Sequence, residues 1–250
     1  MITQQVYESK IKALMAKWKK SHEKNANVQN INFIDDGIVN PEKWFNPANK
    51  QFKGKKILFL LKEAYSKDDE KASWSLTDWL RTDHPIDGKH KIWKRVVEWT
   101  YALVNTNSKK SPKCSEREIK ENYNEYLENI AVVYIKKSCG KSNSNMGEIL
   151  EYAEQDKDFL SKEIELIDPD IIVCGYSIQA LMKVFDLKIK ENSGYYSENW
   201  FYVTDEIFGK TRIILDFYHP SNQYPILLNY YSLACIYQQA LLEVNSNDQL

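Results

Sequence analysis

Ile213-Ile214-Leu215-Asp216-Phe217-Tyr218-His219-Pro220-Ser221-Asn222 is the stretch on which the reading of this chain turns. A continuous apolar run rich in β-branched residues reads as a strand buried on both faces. It runs straight into a polar turn carrying the last of the chain's four histidines. Pro220 fixes the backbone at the strand's exit and biases His219 towards an extended conformation, which holds the imidazole at the carboxyl end of a sheet. In open α/β sheets that edge is where ligands bind. A histidine that merely closes a turn would look the same in isolation. The functional reading gains from a second strand of similar pattern, Lys56-Ile57-Leu58-Phe59-Leu60-Leu61, which also ends in titratable groups, Lys62 and Glu63.

Outward from these two strands, Ile130 to Ile135 reads as another central strand, opening into a polar loop from Lys136 to Asn145. Ile171 to Cys174 is a further strand, introduced by Asp168-Pro169-Asp170 and ended by Gly175, and Phe201 to Val203 is a shorter one. Helical spacing of apolar residues appears over 2–20, from Trp74 to Leu80, from Ile92 to Leu103, and over 116–127, 146–167, 178–185 and 225–244. Strands alternating with helices predict a three-layer α/β/α fold with a central, mostly parallel four-stranded sheet. Residues 1–52 are expected to form an amino-terminal helix and an extended, mostly irregular approach segment. Residues 53–244 form the α/β domain, and 245–250 a frayed tail.

Composition bounds the function. With 250 residues and a formal charge of −1, the chain can bury one substantial core but does not coat nucleic acid by bulk charge. Any nucleic-acid contact must rest on a local basic patch, and two are visible, at 89–95 and 136–141. The four cysteines are scattered without a C-x-x-C pair, so neither a metal site nor a disulfide framework is expected, and a reducing, cytoplasmic setting fits. There is no signal-peptide core and no apolar run near the ~18 residues of a membrane span, so no membrane partner is expected.

Two motifs imitate known sites. Gly140-Lys141-Ser142 follows a strand as a phosphate-binding loop does, but Ile135 stands where that loop needs its first glycine. Gly175-Tyr176-Ser177-Ile178-Gln179 has a serine on a strand-turn-helix, followed by Asp216 and His219 in the order of an α/β-hydrolase triad. Gln179 replaces the second glycine of that elbow, and a triad is judged by its geometry.

Over roughly residues 55 to 230 the chain resembles the uracil-DNA glycosylase superfamily, as a divergent member. Lys62-Glu63-Ala64-Tyr65-Ser66 stands where the first strand of the iron-sulfur branch ends in an acidic motif, and His219-Pro220-Ser221 matches the His-Pro-Ser at the end of the last central strand. The intervening strand with its asparagine-bearing loop, and the unit from Pro169 to Gly175, fall in the matching order. The cluster-holding cysteines are absent, and Lys62 and Tyr65 replace the motif's flexible glycine and its proline.

The resemblance implies hydrolysis of the N-glycosidic bond of uracil or another modified base in single- or double-stranded DNA, without a cofactor or metal. His219 would donate to the base carbonyl, and Glu63 would stabilise the sugar's developing positive charge and activate water. Tyr65 would lie under the base, Asn143 or Asn145 would read its edge, and Ser221 and Asn222 would complete the pocket. Lys136, Lys137 and Lys141 would meet DNA phosphates, and Tyr224, Pro225 and Ile226 are placed to wedge the duplex open. The alternative is a catalytically inactive module on the same fold that binds nucleic acid or a nucleotide. A structural alternative has Glu63 paired with Lys62 or Lys136, and His219 as a satisfied core residue.

Overall fold

In the computed structural model, which describes residues 2–26, 32–46, 48–52, 55–65, 73–82, 90–140, 143–187 and 200–247, the four long apolar runs become neighbouring parallel strands. The elements, in chain order, are α1 (Gln4–Ala26), β1 (Ile34–Asp35), β2 (Gly37–Ile38), α2 (Pro41–Trp44), a single 3-10 turn (Lys50–Phe52), β3 (Ile57–Leu61), β4 (Trp74–Ser75), α3 (Leu76–Thr82) and α4 (Lys91–Asn105). They continue with α5 (Glu116–Glu121), α6 (Tyr123–Glu128), β5 (Ile130–Tyr134), α7 (Met146–Gln155), α8 (Lys157–Ile167), β6 (Ile171–Gly175), α9 (Ile178–Phe185), β7 (Phe201–Thr204), β8 (Arg212–Phe217) and α10 (Ile226–Asn247).

The main sheet has the order β2-β5-β3-β6-β8-β7, with the inner four strands parallel and both edges antiparallel. The expected four-stranded sheet is therefore its centre, and the sheet as a whole is six-stranded and mixed. Both additions have a physical reason. The connection from β7 to β8 spans only residues 205–211, shorter than the roughly dozen residues a parallel crossover needs, so β7 turns back on its neighbour. At the other edge β2 is two residues long, too short to show any periodicity. It lies in the segment expected to be irregular, which also supplies β1, paired in parallel with β4. Trp74, expected within a helix, belongs to that small sheet.

Alternation along the strands divides the core in two. Phe59, Val132, Val173 and Leu215 face one way, against Trp99 and Leu103 of α4 and Tyr230 and Tyr237 of α10. Leu60, Val133, Cys174 and Ile214 face the other way, against Trp18 of α1, Ile149 of α7, Ile164 of α8 and Leu181 of α9. Helices thus cover both faces, which is why the central strands read as unbroken apolar runs. The helical region 146–167 is broken at Asp156, whose carboxylate lies 2.8 Å from His22 Nε2. Among the described residues no helix is long and apolar enough to cross a membrane.

Candidate active site

The carboxyl ends of β3, β6 and β8 lie side by side, so their exits bring Lys62-Glu63, Tyr176 and Tyr218-His219 to one edge. The loops after β3 and β5 stay paired beyond the strands: Lys136 N–H donates to the Lys62 carbonyl at 3.0 Å and Gly140 N–H to the Ala64 carbonyl at 2.7 Å. This pairing folds the β5 loop over Glu63. Its side chain is only 4% exposed, and its Oε2 lies 3.0 Å from Lys136 Nζ, which also reaches Glu148 Oε1 at 2.7 Å. A Cβ at residue 140 would stand 1.9 Å from the Glu63 carboxyl carbon, so only glycine lets the loop close there. Burial by itself would lower the Lys136 ammonium, but hydrogen bonds to Glu148 and Glu63 and their charges outweigh it and raise it.

His219 is partly buried in the turn after β8. Ser221 N–H donates to its Nδ1 at 3.2 Å, and the Ser221 hydroxyl lies 2.7 Å from the same nitrogen. An amide can only donate, so Nδ1 is assigned as acceptor and the ring proton to Nε2. Burial, and then the nearby Lys62 charge, push the imidazole down to about 4. The ring is uncharged at neutral pH and presents an N–H donor. The turn behind it is rigidly tied: the Asn222 amide donates to the His219 carbonyl and to Asn229 Oδ1, while its oxygen accepts from Tyr224 N–H and Asn229. Buried Arg95, from α4, reaches Asn222 Oδ1 and the Tyr224 carbonyl from beneath and lies 3.4 Å from Glu98. Burial raises Glu98 to about 7, in spite of Arg95 and Lys94.

The other expected residues divide by position. Tyr65 is exposed and pairs through its backbone with Gly140. Asn143 is exposed, whereas Asn145 uses its side-chain oxygen to cap α7 on Gly147 N–H and Glu148 N–H. Ser221 serves His219, and Asn222 is spent in the turn scaffold rather than turned towards a ligand. Tyr224 is exposed and packs on Tyr218 with ring centres 4.9 Å apart. Lys136 is engaged by two carboxylates, as the ion-pair reading of Glu63 anticipated.

Lys137 corrects the phosphate-contact expectation outright. Its side chain is fully buried, paired with Asp36 and, at 2.8 Å, with Glu163, and its ammonium lies 4.8 Å from the centre of the Trp18 ring. Backbone phosphate cannot reach it. Burial and the Asp36 charge push Glu163 well up, against the opposing pull of the Lys137 ammonium. Lys141 lies outside the described residues. The serine-hydrolase geometry is not formed: the Ser177 hydroxyl is buried and donates to the Leu60 carbonyl at 2.7 Å, and His219 Nδ1 turns to Ser221 instead of Asp216.

The chain matches no known protein-family model and no curated protein sequence. Its chemistry must therefore be read from its own residues. Among those described, no group of three or more His, Cys, Asp or Glu side chains is placed to hold a metal ion.

Three features stood in the sequence without their present roles being read. Arg95 was read only as part of a basic patch, although it supports the histidine turn. Tyr176 sits on the elbow between β6 and α9 with φ +58°; the residue is 60% exposed, and its ring centre lies 5.4 Å from Lys62 Nζ. Beside it opens a cavity of about 490 Å³, lined by Asp216, Tyr176, Trp200, Tyr218, Met146 and Gln179 among others. Burial raises the Asp216 carboxyl to about 6. The signal available in the sequence was a lone acid inside an otherwise apolar strand.

Proposed function

We propose that the protein is a DNA glycosylase-type hydrolase that cleaves the N-glycosidic bond of uracil or another modified base. The observation that carries this reading is the uncharged His219 ring, held at the carboxyl edge with Nδ1 occupied by Ser221 and the proton on Nε2. As the bond breaks, negative charge grows on the base's carbonyl oxygen. A preorganised neutral donor there stabilises that charge without transferring a proton. Glu63 is the carboxylate on the same edge for the sugar and the attacking water, and it must exchange its Lys136 contact for substrate to act. Tyr65 supplies an exposed ring, Asn143 an exposed amide at the loop, and Tyr224 with Leu227 and Leu228 an exposed apolar wedge beside the histidine turn. Lys91 and Lys94, exposed at the start of α4, are the phosphate contacts best supported by position.

One observation favours a second reading, a catalytically silent module that binds nucleic acid or a nucleotide. The Glu63 carboxylate is almost wholly covered and already compensated by Lys136, as a structural acid is. Release of free base from labelled oligonucleotides, single- and double-stranded, decides between them. Release by the wild type that is lost in Glu63→Gln and His219→Ala, both still folded, upholds the hydrolase. Binding of the same oligonucleotides without release upholds the module, and release undiminished in either variant removes that residue from the mechanism.

A further inference from the structure

Neither Glu63 nor His219 lines the cavity beside β8, and its chemistry differs from theirs. Asp216 points into it from the strand, in register with Cys174 and on the α9 side of the sheet. Among the described residues no side-chain hydrogen bond or ion pair engages the Asp216 carboxylate. Tyr176, Trp200 and Tyr218 provide aromatic walls, and the first two hold backbones at φ +58° and +59°. Bulky residues are rarely held in the left-handed region, and such conformations concentrate at ligand sites. The volume, about 490 Å³, is in the range of small-ligand pockets, roughly 300–1,000 Å³.

These features define a ligand class. A largely buried carboxylate in a cavity lined by aromatic side chains suits a flat ring that presents two adjacent N–H donors, one for each oxygen. A compact cation is the competing class, but the Lys62 ammonium 5.4 Å from the centre of the Tyr176 ring already places positive charge at that wall. A base with a single N–H flanked by carbonyls, as in uracil, would set an oxygen against the carboxylate. We propose that this cavity binds a guanine base, with Asp216 accepting from its ring N–H and its amino group while the aromatic side chains hold its faces. The proposal concerns equilibrium binding alone and stands independently of base release.

The test is calorimetric titration of the intact chain with guanosine, inosine, uridine and choline. Guanosine is expected to bind, inosine, which lacks the amino group, at least ~10-fold more weakly, and uridine and choline not measurably; each lost charge-assisted hydrogen bond is worth about a factor of ten or more. Asp216→Asn should weaken guanosine at least ~10-fold, and Met146→Trp, which fills the cavity without altering the carboxylate, should abolish binding. Equal affinity for guanosine and inosine, unchanged affinity in Asp216→Asn, a preference for choline, or no guanosine binding at millimolar concentration would each overturn the proposal. Should Asp216→Asn fail to fold, the guanosine-to-inosine ratio of the wild type still decides.

Discussion

Replacing Asp216 by Asn should make the protein more stable at neutral pH, the reverse of what most buried polar substitutions do. The carboxyl is raised from 3.8 to about 6 by burial. A folded-state value above the unfolded one means that this group favours folding below about pH 4, and that the benefit is lost as pH rises through 6. The difference of about two pH units amounts to roughly 3 kcal/mol at about 1.4 kcal/mol per unit, reduced to about 2 kcal/mol because the cavity admits water. For a chain of this length each kcal/mol moves the melting temperature by about 2–4 °C, so Asp216→Asn should melt about 4–8 °C higher at pH 7.5. The gain should vanish near pH 3.5, where the wild-type carboxyl is protonated in the folded state. Thermal and urea unfolding at the two pH values measure this directly. Lower stability at pH 7.5, or a gain of the same size at both, would show that the carboxylate is compensated and the reasoning wrong. A site acid kept at such a cost is the usual signature of stability traded for function.

Lys137→Met should destabilise by about 3–5 kcal/mol, since it leaves the buried Asp36 carboxylate uncompensated, and should leave oligonucleotide affinity of the folded protein unchanged; denaturant titration and a binding isotherm measure the two effects. Gly140→Ala forces a methyl into the Glu63 carboxylate and should cost about 1–3 kcal/mol together with base release, so a fully active, undisturbed variant would contradict the tight loop closure. Joint replacement of Lys91 and Lys94 by Gln should reduce the slope of log affinity against log salt by about 2 on duplex DNA, and an unchanged slope would place the phosphate contacts elsewhere.

The centre of the fold was legible because its four strands are buried on both faces and so are almost wholly apolar, Asp216 of β8 being the exception within the run. Of the two edges, β7 was expected as a short strand over 201–203, whereas β2 was not, since it is two residues long and its pairing follows from contacts distant in sequence. Glu63 and His219 stood out for the same reason as the strands: each follows an apolar run at the point where the chain leaves the sheet. Lys137 was misread because a lysine in a polar, basic loop looks solvated. Its partners, Asp36 and Glu163, lie in a segment without periodicity and on an acidic helix, and nothing local marks either as its counter-ion. Asn222 was misread likewise, because Asn229 and Arg95, which use up its amide, reach it from two different helices.

The Lys137 cluster also changes what the first helix is for. Trp18 covers the ammonium, and the Tyr7 hydroxyl accepts Ile38 N–H at 3.0 Å next to the same charges. Removing residues 1–26 would therefore do more than trim an appendage: it would let water into an ionic cluster whose strength depends on its absence. The helix acts as a seal, and the attraction beneath it, worth several-fold less in water than in a dry interior, would fade as soon as the seal was lifted. A chain shortened by this helix should then show its first weakness at the edge strand Gly37–Ile38 rather than at the four central strands.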